Sequence, residues 1–135
     1  TRKTGRTAIS DFMYKLKNNP DELEVLGNGK QSKSYLYVEE CIDGMLLAVD
    51  KSKDNINIFN LGPSDSITIE EIAKIVIKEM GLKTKITFKG GESGWKGDIP
   101  RFLMDTQKMA DLGWKPANNS RQAVEKTVKL ILSKE

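Results

Sequence analysis

The sequence contains no histidine, which removes the usual general base, the usual zinc ligand and every His-based catalytic triad. Any catalysis by this chain must therefore draw on Tyr, Lys or carboxylates. Cys41 is the single cysteine, so no intrachain disulfide can form. Its neighbours Val38, Ile42 and Met45 mark it as a small buried hydrophobe rather than a nucleophile. Long apolar runs are missing as well. The longest uncharged one, MLLAV at residues 45–49, falls far short of the roughly 20 residues a membrane span needs, and the N-terminus carries no signal-like apolar core. A cytoplasmic protein without a membrane partner is expected. Blocks of one charge are absent too: 22 Lys and Arg are scattered among 19 acids for a net charge of +3, which disfavours a nucleic-acid reader.

What is present is the balance of a globular protein. A chain of 135 residues, 38% apolar and 30% charged, fits one ordinary domain with one core. It begins at Thr1 in a polar segment and reads as a piece of something longer.

Ile9, Phe12, Met13 and Leu16 repeat at helical spacing and predict a helix over residues 7–17, stopped by Asn18, Asn19 and Pro20. Leu23, Val25 and Leu26 form a strand-like run ending in the turn signal Gly27-Asn28-Gly29, and residues 34–38 offer a second, so a hairpin or two short strands is expected. Val38, Ile42, Met45, Leu46 and Val49 fall on one face of a second helix, and Ile56, Ile58 and Phe59 predict a strand running to Gly62-Pro63. Thr68 and Glu71 have capping-box spacing, in which each side chain satisfies a backbone donor at the other end of the first turn. Behind that cap, Ile69, Ile72, Ala73, Val76 and Met80 line a helix that Gly81 can end. Ile86 and Phe88 mark another strand. Asp105 can cap a brief helix ending at Gly113, with Trp114 folding back onto it, and a final helix runs from Asn119 or Ser120 with Val124, Thr127, Val128, Ile131 and Leu132 as its face. The fold class is therefore α/β: a small mixed lobe of short strands and about five helices.

Gly91, Gly94 and Gly97 match a G-x-x-G-x-x-G spacing just after a strand signal. A dinucleotide fingerprint needs its glycines to turn directly into a helix whose N-terminal N–H groups hold the pyrophosphate. Here Pro100 steers Ile99 away from helical geometry where that helix would run, and a bulky Trp95 sits inside the motif. The spacing is a decoy. The tyrosine–lysine pair of short-chain dehydrogenases, four residues apart, is also missing, because Tyr14, Tyr35 and Tyr37 are followed at that distance by Asn18, Glu39 and Cys41.

Two segments retain a chemical reading. In GNGKQSKSYLYVEE, residues 27–40, a glycine turn leads into Lys30, Gln31 and Lys33; cations beside backbone amides suit a phosphate, although a surface hairpin with solvated lysines has the same composition. In GWKGDIPR, residues 94–101, Lys96 or Arg101 can meet a phosphate and Asp98 can accept from sugar hydroxyls, while a plain connecting loop is the alternative. LGWKP, residues 112–116, is a helix stop with a packed tryptophan and needs no ligand.

Taken in order, GNGKQSKSYLYVEE, INIFNLG, SITIEEIAKIV, GWKGDIPRFLMD and LGWKP resemble the C-terminal portion of extended short-chain dehydrogenase/reductases that act on nucleotide sugars, the UDP-glucose 4-epimerase and sugar 4,6-dehydratase family. The resemblance covers nearly the whole chain. It implies that residues 1–135 are the nucleotide-sugar-binding C-terminal portion. The N-terminal Rossmann domain, with NAD or NADP and the catalytic Tyr-Lys pair, would be absent from this chain, leaving it without a bound cofactor and inert alone. It further implies a UDP-, GDP- or dTDP-linked sugar as ligand and a possible homodimer. By motif position, Lys33 stands where the family often has a diphosphate-contacting arginine, with Tyr35 following on the same strand. Glu24 and Leu26 match positions bordering the nucleobase, through backbone groups, and Asp98 matches a ribose-contacting aspartate. Trp95 replaces the second diphosphate arginine, so Lys96 or Arg101 takes over that charge or Trp95 stacks on the ligand. The parent would be a 4-epimerase, or alternatively a 4,6-dehydratase. A stand-alone binding module is the reading of another class.

Overall fold

The computed structural model describes residues 7–91, 99 and 101–134. The first helix, α1 (Ala8–Asn18), is closed by a reciprocal capping box between Thr7 and Ser10 and buries Ile9, Phe12, Met13 and Leu16. β1 (Glu22–Val25) follows, with Leu23 and Val25 turned into the core and Glu22 and Glu24 outward. Its partner is not the next strand but β4 (Lys85–Phe88), parallel to it in the register Glu22↔Lys85 to Val25↔Phe88.

β2 (Ser32–Lys33) lies in a second sheet, antiparallel to β3 (Ile67–Thr68) and parallel to β5 (Arg101–Phe102). The GNG turn therefore passes the chain from one sheet to another, and the predicted pair of short strands is present without being a hairpin. Gly29 makes this turn at φ +76, and a Cβ there would collide with Phe88; only glycine meets both demands.

The core centres on α3 (Ile69–Glu79), which packs against α1 on one side and α5 (Ser120–Leu132) on the other. Because it is flanked, its buried set extends past the predicted stripe to Ile75 and Ile77. Its capping box forms as expected: Thr68 N donates to Glu71 Oε2 at 3.0 Å and Glu71 N donates to Thr68 Oγ1 at 3.2 Å. α4 (Gln107–Asp111) starts after Thr106, with Asp105 Oδ1 accepting from Gln107 N, and Trp114 folds back through its N–H to Met109 O. Among the described residues there are five α-helices, and none is long and apolar enough to cross a membrane.

Three expectations change. The second strand signal, residues 34–38, is displaced: β2 ends at Lys33, Tyr37 is already the N-cap of α2 (Val38–Lys51), and the connecting residues leave the ladder. Residues 56–59 form no strand, since no described segment pairs with them and unpaired backbone cannot sustain one. The apolar stripe of α2 is real but unburied. Gly44 is the only fully buried residue of that helix, where a Cβ would lie 2.8 Å from Leu61 and Trp114, so α2 packs through the opposite side. Cys41 is correspondingly half-buried rather than buried.

Candidate functional site

The described residues on either side of the glycine loop lie beside the first of the two segments singled out in the sequence. At one end of the glycine loop Gly90 bridges to Gly27, its N–H donating to Gly27 O at 3.0 Å. At the other end Arg101 pairs with Ser32. Both flanks of the loop are thus fastened to the GNGKQSK segment. Trp95, Lys96 and Asp98 lie outside the described residues. The chain beyond the loop enters β5, not a helix, which agrees with rejecting the dinucleotide fingerprint.

Register decides which cations share a face. Directly paired residues of neighbouring strands project to the same side, and successive residues to opposite sides. Ser32 pairs with Arg101 and Lys33 with Phe102, so Arg101 and Lys33 stand on opposite faces of this short sheet. Lys33 is half-buried and Arg101 exposed. Tyr35 is half-buried and packs against the core, with its backbone N–H held by Ser120 Oγ at 3.1 Å. Glu24 and Leu26 are exposed at the end of β1. Their carbonyls already accept from Lys15 Nζ at 3.2 Å and Gln31 Nε2 at 3.2 Å, and each carbonyl oxygen retains a second lone pair. The Glu24 carboxylate pairs with Lys89 Nζ at 3.1 Å.

The amides of the GNGK turn and of the α3 N-terminus are mostly spent within the fold. Lys30 N donates to Asn28 Oδ1, while Ile69 N and Glu70 N donate to the carbonyls of Gln31 and Gly29. Glu71 N is taken by Thr68. An incoming anion therefore meets cationic side chains rather than a row of open N–H groups. Beside this N-terminus the Glu71 carboxyl is held below the usual carboxylate range, chiefly by the Thr68 N–H and then the Thr68 hydroxyl. Partial desolvation opposes this, and Arg121, 2.9 Å away, reinforces it.

Sequence reasoning missed two positioning groups. Gln31, 2% exposed, props the turn from beneath through Leu26 O, and its Oε1 has no hydrogen-bond partner among the described residues. Ser120 read only as the start of a helix, yet it contacts Tyr35 from 85 positions away; no local pattern signals such a contact.

Residues 1–62 match the model of the NAD dependent epimerase/dehydratase family. GDP-L-fucose synthase 1 of Arabidopsis thaliana is 29% identical over 110 residues, which are 82% of this chain and 33% of that protein. A solved UDP-galactose 4-epimerase superposes with a TM-score of 0.82 at 32% identity, over 95% of this chain and 41% of its own. The UDP-glucose 4-epimerase of Thermotoga maritima, solved with UDP-glucose, shares the fold at a TM-score of 0.75 and 24% identity, over 96% of this chain and 40% of its own. The chain thus spans about a third to two fifths of the length of these relatives. It matches a part of the Rossmann-type nucleotide-sugar epimerases and dehydratases, with its first 62 residues fitting the NAD dependent epimerase/dehydratase family.

Proposed function

We propose that this chain is the nucleotide-sugar-binding part of an NAD-dependent nucleotide-sugar 4-epimerase, and that an N-terminal Rossmann domain covers the apolar face of α2. The observation that carries this reading is the bare stripe. Val38, Ile42, Met45, Leu46 and Val49 are each half or more exposed, as are Ile56 and Ile58 at 84% and 75%, while the reverse side of α2 is pressed onto Trp114. Contiguous apolar surface of this kind marks an interface. An amphipathic helix followed by an extended segment with alternating isoleucines is what a neighbouring sheet would take up as an added strand and covering helix. The uncovered fraction of the relatives' length leaves room for that neighbour.

NAD is assigned to the neighbouring domain, as the family resemblance implies. This chain's own contribution is to bind and orient. Lys33 offers a cation to the diphosphate, Glu24 and Leu26 border the base, and Tyr35 packs beside them. Arg101 stands on the other sheet face from Lys33, which favours Lys96 over Arg101 as the second diphosphate cation, with Asp98 on the ribose and Trp95 stacking on the ligand. With the sugar so held, C4 would be oxidised to the ketone and reduced again from the opposite face. Without the neighbouring domain the chain would be inactive.

The test is proton NMR of UDP-, GDP- and dTDP-hexoses incubated with the full-length gene product and NAD. Interconversion of C4 epimers is expected. A 4-keto-6-deoxy product would replace the epimerase reading with a dehydratase. A protein that turns over none of these sugars, and whose 135-residue chain is a stable monomer ignoring all of them, would point instead to a stand-alone module.

A further inference from the structure

We infer that Ser120 is a positioning residue for the nucleotide-sugar site, holding the segment that carries Lys33 and Tyr35 by a buried hydroxyl; this rests on the reading just given. Ser120 is 0% exposed. Its Oγ accepts from Tyr35 N at 3.1 Å and donates to Asp65 O at 3.2 Å. The direction is unambiguous, because an amide N–H can only donate and a carbonyl can only accept. Its own N–H donates to the Asp65 carboxylate, at 3.0 Å from Oδ1 and 3.3 Å from Oδ2. One side chain therefore joins the end of β2, the loop before β3 and the start of α5.

The same loop grips the chain a second time. Glu40 Oε1, in the first turn of α2, accepts from Ala117 N at 3.0 Å, Asn118 N at 3.0 Å and Asn118 Nδ2 at 2.7 Å. Residues 35–40 are thus clamped at both ends by residues 117–120. Without the clamp the stretch after β2 would be guided by a ladder of only two residues, too short to fix where Lys33 presents its charge. The clamp also sets the distance between the ligand-facing strand and the helix on which the neighbouring domain is proposed to dock.

Asn119 provides the control. It caps the same helix through Gln122, its Oδ1 accepting from Gln122 N at 2.9 Å and its N–H donating to Gln122 Oε1 at 3.0 Å, bonds made within α5 rather than to the segment after β2. In the full-length protein, Ser120→Ala is expected to weaken nucleotide-sugar affinity about tenfold, the effect of losing roughly one hydrogen bond's worth of positioning. It should also expose the Tyr35 amide to hydrogen exchange. Asn119→Ala should lower thermal stability comparably while leaving both readouts unchanged. Should Ser120→Ala fail to fold, Ser120→Cys fills the same space with a weak acceptor and is expected to reproduce the affinity loss. Equal affinities for wild type, Ser120 and Asn119 variants, or an unchanged Tyr35 amide, would overturn the inference. Wild-type protein that binds no UDP-, GDP- or dTDP-sugar would instead overturn the proposed function on which it rests.

Discussion

The bare face of α2 gives the sharpest energetic prediction. Leu46 and Val49 are 65% and 79% exposed. Full burial of such a side chain contributes about 1.5–3 kcal/mol, so in proportion to their exposed fractions the two together offer roughly 2–4 kcal/mol to any surface that covers them. Converted to association, that is roughly 30- to 700-fold. The double variant Leu46→Lys/Val49→Lys removes this term and places cations in the second half of the helix, where the macrodipole tolerates them. Since neither side chain is packed in the chain itself, folding stability should change by no more than about 0.5 kcal/mol. Light scattering behind size exclusion should show concentration-dependent self-association of the wild-type 135-residue chain and a monomeric double variant. In the full-length protein the same substitutions should loosen the docked domains and abolish turnover. A monomeric wild type, or a double variant destabilised by more than about 2 kcal/mol in urea, would show that the face is not an unpartnered interface.

Other outcomes follow from single contacts. Gly44→Ala places a Cβ 2.8 Å from Leu61 and Trp114; overpacking of about 1–3 kcal/mol should outweigh a helix-propensity gain of about 1 kcal/mol, lowering the urea midpoint and shifting Trp114 fluorescence. Gly29→Ala forces a side chain into the left-handed region against Phe88, and should cost at least about 1–2 kcal/mol in denaturation. The lowered Glu71 pKa means that its stabilising contribution is fully present above the unfolded-state value of about 4.3 and is lost as pH falls through the lower folded-state value. Acid titration of stability should therefore be steeper for wild type than for Glu71→Gln below about pH 4.3; equal slopes would refute this.

Local rules carried the helices. Apolar periodicity located α1, α3 and α5, with the Thr68/Glu71 capping box marking the start of α3, because each of these signals is local in sequence. Pairing was less legible: β1 finds its partner some sixty positions downstream and β2 pairs with β3 and β5 rather than with its neighbour β1, and strand propensity carries no information about distance along the chain. Periodicity marked the α2 stripe as apolar without saying what covers it, so Val38, Ile42 and Met45 read as interior and are exposed. At the site, composition singled out the GNGKQSK segment, to which the fold fastens Gly90 and Arg101 on either side of the glycine loop. The facing of Lys33 and Arg101 depends on register, and the role of Ser120 on a contact no motif encodes.

The most direct measurement is a calorimetric titration of the full-length protein with UDP-, GDP- and dTDP-sugars, with Lys33→Ala alongside. Saturable binding of at least one sugar is expected, weakened about tenfold or more without Lys33, as loss of a charge-assisted contact implies. Binding of none, or equal affinity in the two proteins, would contradict the assignment of this lobe to the nucleotide-sugar diphosphate.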